Sequence, residues 1–357
     1  MEAKHCNSVV GAADSLTRKL ALMELSKEMV SRALRVEALH QATSYISLNN
    51  LYQLVKRNAL PNVGFTHRDV YNYAKYVHPI TCLGCKLGKM TAEASSIIDS
   101  YPESRIGELV HADIMILSSE ADVKRPSVMQ IVAVDGFSGY VMSVTIKDRS
   151  TKSCVAAFTE IKKAYSDAGH DIKKFRLDNE GGFVGAIGAL DSMKIGYEFS
   201  TAERHVRKAE AAIKQIKSLF RATLFGLPYS LPCKFYEHLL NFLPGSINAS
   251  YKVFNDHLTA YELFNNRETV DLSNILRAPF GQLVASYSTA EDRKDDSQRA
   301  DVGIIVARSV LSSGSYLIYD LATKATVKRH QFAPLEWNSV FLKALSTDED
   351  GNDLRTT

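Results

Sequence analysis

Apolar positions fall into three successive textures along this chain. Between 13 and 60, Leu20, Leu22, Met23, Leu25, Met29, Leu34 and Leu39 recur at three- and four-residue spacings among Lys, Arg and Glu. That is the period of amphipathic helices, and it predicts a small helical head. A turn follows from 62, then a short helix after Thr66. Cys82-Leu-Gly-Cys85 comes next, with a basic exit at Lys86 and Lys89 and a polar linker over 90–106. From 107 the pattern changes to short apolar runs. Residues 109–116 read as a strand carrying His111 and Asp113 at its centre, 128–135 and 140–146 as two more strands around the Gly-Phe-Ser-Gly turn 136–139. An amphipathic helix is predicted over 150–168, with Val155, Phe158, Ile161 and Ala164 inward. A fourth strand over 172–177 ends at Asp178. Helices are expected over 200–224, 236–240 and 259–264. The charged segment 290–300 reads as a boundary, and 302–308, 315–319 and 325–332 alternate as strands before a polar tail, 347–357, expected to be disordered.

The order βββαβ followed by helices predicts an α/β fold, a mixed sheet with helices packed on its faces. The expected division is a helical module over 1–100, a core with its following helices over 101–288, a small β-domain over 300–340 and a tail over 341–357. A chain of 357 residues exceeds the usual size of one domain, which agrees with this division. No apolar run approaches the roughly 20 residues of a membrane span, and residues 1–19 lack the apolar block of a secretory signal, so an intracellular protein is expected. Of five cysteines only Cys82 and Cys85 lie close together, which argues against a disulfide framework. The net charge of +3 permits a nucleic-acid partner without demanding one.

Candidate chemistry lies in the acids. Asp113 and Asp178 sit within or at the end of apolar strands, where a carboxylate is costly unless a cation compensates it. Asp178 also opens Asp-Asn-Glu-Gly, which is ordinary turn chemistry. On the helix after Ser200, Glu203 fits a capping box, Ser200-Thr-Ala-Glu203. Glu210 shares one face with Arg207, Lys214, Lys217 and Arg221, beside a stripe of Val206, Ala209, Ile213, Ile216 and Phe220. This row reads either as a solvated face with a Glu210–Lys214 pair or as cations following a phosphate backbone with Glu210 as a metal ligand.

The ordered blocks Gly-Glu-Leu-Val-His-Ala-Asp over 107–113, Val-Asp-Gly-Phe-Ser-Gly-Tyr over 134–140, Arg-Leu-Asp-Asn-Glu over 176–180 and Lys-Ala-Glu over 208–210 with Ile-Lys-Gln-Ile-Lys over 213–217 resemble the integrases of copia-type long-terminal-repeat retrotransposons. Those proteins share the ribonuclease-H-like catalytic core of retroviral integrases. The blocks at 261–264 and 276–281 and the strands over 302–335 extend the resemblance to about 34–335. It implies that Asp113, Asp178 and Glu210 form a catalytic triad holding two Mg²⁺ (or Mn²⁺) ions. It also implies that the chain processes DNA 3′ ends and joins them to target DNA, as a homo-oligomer, in the nucleus with a possible cytoplasmic stage. Arg207, Lys214, Lys217 and Arg221, together with Lys328 and Arg329 of the β-domain, would contact DNA. Lys324 and His330 lie nearby, with Tyr316 and Tyr319.

Two departures stand out. Asp178 and Glu210 are 32 positions apart, slightly short for the class. Such integrases also carry an N-terminal His-His-Cys-Cys zinc site. Here His40, Cys82 and Cys85 match three positions, while Arg35 or Val36 stands where the first histidine is expected. A structural zinc site needs four ligands, so His78, His67 or water completes it, or it is no zinc site. A decayed or domesticated integrase that binds DNA or protein without catalysis is the alternative. A ribonuclease-H-like nuclease would leave the flanking modules unexplained.

Overall fold

The computed structural model describes residues 27–78, 82, 84–85, 88, 103–117, 127–200, 207–249, 251–252, 255–266, 272–273, 276–287, 299–308 and 314–346. Leu20, Leu22, Met23, Leu25, Lys86, Lys89, Glu203, Val206, most of the linker 90–106, most of the charged segment 290–300 and the tail 347–357 lie outside these residues. Among the described residues no helix is long and apolar enough to cross a membrane.

The head contains α1 (Lys27–Ala42), α2 (Leu48–Lys56) and α3 (His67–Asn72), the last running into a π-helical turn, Tyr73–Val77. Ser47 caps α2 by accepting from Asn50 N at 3.2 Å. Thr66 and Asp69 form the capping box that starts α3 where the sequence placed it. The buried face of α1 is Ala33, Val36 and His40, whereas Met29 and Leu34 are exposed. The predicted stripe was therefore rotated, because Leu51, Leu54, Val70 and Tyr73 meet the smaller residues.

The central sheet has β1 (Val110–Leu117), β2 (Val128–Asp135), β3 (Val141–Ile146), β4 (Lys174–Leu177) and β5 (Gly196–Phe199) in the order β3-β2-β1-β4-β5. β1, β2 and β3 pair antiparallel, and β1, β4 and β5 pair parallel. This is the mixed, ribonuclease-H-like sheet anticipated from the sequence. Both faces are covered, so neighbouring residues of β2 are buried in turn: Ile131 and Ala133 under α4 (Thr151–Asp167), Val132 and Val134 under α7 (Arg207–Gly226) and α8 (Tyr236–Asn248). In α4 the buried positions are Cys154, Ala157, Phe158, Ile161 and Tyr165, leaving Val155 and Ala164 at the margin of the predicted stripe. Short helices α5 (Gly181–Gly185) and α6 (Ile187–Ser192) connect β4 to β5. The hairpin β6 (Tyr251–Lys252) and β7 (Asn255–Thr259) leads into α9 (Ala260–Phe264).

The second sheet is antiparallel, β11-β10-β9-β8-β12, built from β8 (Leu283–Tyr287), β9 (Ala300–Arg308), β10 (Tyr316–Asp320), β11 (Thr326–Arg329) and β12 (Phe332–Pro334). A short helix, α10 (Ser339–Ser346), follows it. Two expectations change. β8 pairs with β9, so the charged segment joins neighbouring strands of one sheet instead of preceding the β-domain. The single strand expected over 325–332 is two, β11 and β12, at opposite edges of the sheet, and Arg277 Nη2 donates to His330 O between them.

Arg308, at the end of β9, ties the parts together. Its Nη1 donates to Ser246 Oγ at 3.0 Å and Phe242 O at 3.4 Å, its Nη2 to Ala42 O at 2.5 Å, and its guanidinium lies 3.6 Å from the Phe242 ring centroid. Burial pulls this guanidinium down to about 10. Replacing it leaves the Ala42 carbonyl without this donor, a loss of about 1–3 kcal/mol. Arg308→Leu is therefore expected to lower stability by about 2 kcal/mol in urea unfolding. An unchanged midpoint would show that the junction does not depend on this side chain.

Candidate functional site

Strand alternation aims the acids. Val110 and Ala112 of β1 face α4, so His111, Asp113 and Met115 face α7. In the parallel ladder Ala112 pairs with Leu177, which sets the next residues, Asp113 and Asp178, side by side on the face beneath α7. Helix α7 lies on β1 and β2 through Ala209, Ala212, Ile213, Ile216, Leu219 and Phe220, as its sequence period required. Glu210, half-buried, is in its first turn.

Electrostatics show that these acids are near enough to act on one another. Burial raises the Asp113 carboxyl above its usual range; Ile114 N, donating at 2.7 Å, opposes this, while the negative charges of Asp178, Glu210 and Glu180 add to it. Asp178 Oδ1 accepts from Asn179 N at 2.8 Å and Ser200 Oγ at 3.3 Å. Asp178 thus performs its turn chemistry and faces the site at once. Among the described residues, Oδ2 of Asp113 and of Asp178 accepts no hydrogen bond, and no lysine or arginine pairs with either residue. Half-buried, mutually repelling carboxylates with open oxygens are a donor set suited to hard divalent cations such as Mg²⁺. Glu180, which the sequence showed only as part of a loop, stands just before α5 without a side-chain capping bond and pairs with Arg149 at 3.6 Å. Its signal was its place two residues after Asp178.

The predicted cations separate. Arg207 and Lys214 are exposed and Lys217 half-buried on α7. Arg221 Nε donates to Gly88 O at 3.3 Å, toward the cysteine loop. Lys328 is exposed on the edge strand β11, but Arg329 points the other way and pairs with Asp301 at 3.7 Å. Lys324 donates to Ala344 O. Tyr316 and Tyr319 are not surface residues: both are buried, their hydroxyls accepting from Ala278 N at 3.2 Å and Lys234 Nζ at 2.7 Å.

In the head, His40, His78, Cys82 and Cys85 bring one donor atom each within 4.8 Å of all the others. His40 closes α1, and the π-helical turn delivers His78 four residues before Cys82. Cys82 N donates to His78 O at 3.1 Å and Cys85 N to Cys82 Sγ at 3.4 Å. His78 Nε2 is buried without a hydrogen-bond partner. The bond to Cys85 and burial raise the Cys82 thiol, against the pull of His40 and His78. These residues fit a tetrahedral His₂Cys₂ zinc set. His67 takes no part, lying edge-on to Tyr52 with centroids 5.4 Å apart. The position of the missing histidine is spent on packing: Val36 is fully buried, and Arg35 donates to Gly64 O.

No family model matches this chain, and no curated protein does. Among solved structures it is similar to a chain of the simian T-cell lymphotropic virus intasome in complex with PP2A regulatory subunit B56 gamma, at 13% identity and a TM-score of 0.42, covering 81% of this chain and 98% of that one. It is similar to the HTLV-2 integrase catalytic core domain in complex with magnesium at 19% identity and a TM-score of 0.37, covering 45% and 98%. The BIV integrase catalytic core domain is similar at 14% identity and a TM-score of 0.33, covering 45% and 95%.

Neighbouring carboxylates that repel one another oppose stability. Asp113→Asn is expected to raise the stability of the chain by about 1 kcal/mol in urea with magnesium and manganese omitted, because it removes one of several repelling charges. Added Mn²⁺ should then stabilise the parent and leave the variant unchanged. Equal stabilisation of both would remove Asp113 from any metal site.

Proposed function

We propose that this chain is a retroelement-type DNA integrase, a polynucleotidyl transferase acting on DNA ends. The observation that carries this reading is the adjacency of Asp113 and Asp178 at the ends of a parallel strand pair, with open oxygens on both and with Glu210 of α7 near enough for its charge to act on Asp113. The sequence blocks around the same three residues support it. Asp113, Asp178 and Glu210 would hold two Mg²⁺ ions, which when bound sharpen an attacking oxygen and stabilise the leaving oxygen of a phosphodiester displaced in line. The fixed strand positions of the aspartates set where the scissile phosphate lies. Lys214 and Lys217, one and two turns beyond Glu210, would follow the adjoining phosphates, as would Arg207 and Lys328. Water attack releases the terminal nucleotides and leaves a 3′-hydroxyl, which then attacks a target phosphodiester and expels that strand's 3′ oxygen. Two DNA ends handled together call for a homo-oligomer, acting in the nucleus.

His40, His78, Cys82 and Cys85 would hold a structural zinc ion. With His78 as the fourth ligand the donor set is complete, which weighs against a decayed, non-catalytic descendant. The purified chain is expected to carry one zinc by atomic absorption. His78→Gln and Cys85→Ser should lose it, and His67→Gln should keep it. Full zinc content in His78→Gln would sink this ligand assignment.

The enzyme reading is tested by incubating the chain with a labelled DNA end and target DNA in Mg²⁺ or Mn²⁺. The parent should yield joined product, Asp178→Asn and Glu210→Gln only background, and Lys214→Ala with Lys217→Ala a raised KM for DNA. Absence of joined product from the parent protein would overturn the proposal.

A further inference from the structure

Helix α7 begins beside two side chains that the functional reading has not used. Lys208 Nζ donates to Glu103 Oε2 at 2.7 Å and to Gly136 O at 2.9 Å. The other oxygen of Glu103 lies 3.4 Å from His111 Nε2, and the Glu103 side chain is only 10% exposed. A Cβ at Gly136 would stand 2.6 Å from Glu103 Cδ, so glycine at this position makes room for the carboxylate. Lys208 is thereby tied to the start of β1 through His111 and to the end of β2 through Gly136.

At 3.6 residues per turn, Lys208 and Glu210 leave the helix about 200° apart, on opposite flanks of Ala209. Ala209 is fully buried and, having no side chain beyond Cβ, offers little resistance to the helix rolling on the sheet. What opposes such a roll in the first turn is the two-point hold on Lys208, by Glu103 and Gly136. His111 lies two residues before Asp113 on the same face of β1, so the strand that carries Asp113 also supports this hold. A roll that freed Lys208 would carry Glu210 away from Asp113 and Asp178.

We infer that Lys208, held by Glu103 and Gly136, is a positioning residue that sets the roll of α7 and so the placement of Glu210. The inference rests on the integrase reading for its catalytic consequence, and on the helix alone for its structural one. Burial opposes ionisation of Glu103, yet the bonds from Lys208 and His111 keep its carboxyl below the usual range, as a permanent ion pair requires.

Two measurements test it on the full-length chain. In the joining assay, Lys208→Met should lower kcat about 10-fold, the scale of losses on removing a group that orients a metal ligand. KM for DNA should stay within about two-fold, because Lys208 is engaged by protein atoms. Glu103→Gln should lower kcat in the same way, and Lys208→Arg, which keeps the ion pair, should restore most of it. In hydrogen exchange by mass spectrometry, the peptide over 207–214 should exchange about 10-fold faster in Lys208→Met and return toward the parent rate in Lys208→Arg. Unchanged exchange in Lys208→Met overturns the inference, and so does a fall in kcat that Arg does not restore. If the parent joins no DNA, the functional reading fails, and the exchange rates alone decide whether Lys208 holds the helix.

Discussion

Helix α7 is used along its whole length, and the structure depends on how it is seated. Its stripe from Ala212 to Phe220 shares one apolar core with Met115, Val132 and Val134 of the central sheet, with α8, and with Ile304, Ile305 and Ile318 of the second sheet. At its far end Ala222 packs with Tyr45 and Cys82. There the cysteine loop lies against the helix backbone: a Cβ on Gly84 would meet Ala222 O at 2.6 Å, and one on Gly88 would meet Ala222 N and Cα at 2.4 Å. Only glycine permits that approach without displacing the loop. From Glu210 to Ala222 the helix rises about 18 Å. One rigid rod therefore connects the carboxylate cluster to the His/Cys cluster, and both are positioned by the same buried stripe.

Acids elsewhere in the molecule show what a structural carboxylate looks like in this fold. Asp135 is fully buried, and its oxygens accept from Gly107 N, Ser138 N and Ser138 Oγ at 2.6–2.8 Å. Glu262 is likewise buried, meeting Arg57 at 2.6 Å and capping Thr259. Each is fully satisfied, as burial of a charge demands. Asp113 and Asp178 are less buried yet less satisfied, and they lie beside other acids. At Asp113 this arrangement opposes ionisation, unlike the fully satisfied setting of Asp135 and Glu262.

Much of this was legible in the sequence because strand and helix periods differ. The change of texture at 107 located the sheet, and the acids stood out because they interrupted apolar strands. Other features depend on contacts between distant segments. Tyr316 and Tyr319 were expected near a DNA-contacting face, although they are buried and bond to Ala278 and Lys234 from elsewhere in the chain. Exposed Met29 and Leu34 carry the helical period as well as the buried residues do, and only the neighbouring helices decide which face is covered. His78 remained one of several options because its role depends on a π-helical turn, an irregularity that no spacing rule anticipates. The bonds from Lys208 to Glu103 and Gly136 join positions far apart in sequence and left no local pattern.

The two clusters also divide the chemistry of metals between them. Carboxylate oxygens on half-exposed strand positions suit hard ions that keep some of their water, whereas two imidazoles and two thiols suit zinc. The two donor sets are not good substitutes for one another. Because α7 spans both sites, the geometry of each bears on the other. A loop poorly held at Ala222 leaves that end of the helix less constrained, and rotation about the helix axis displaces Glu210 far more than it displaces the strand-borne aspartates. Glu210, carried by a helix, is the adjustable one of the three acids, and α7 is held near Lys208 and near Ala222 while Asp113 and Asp178 are set by the sheet.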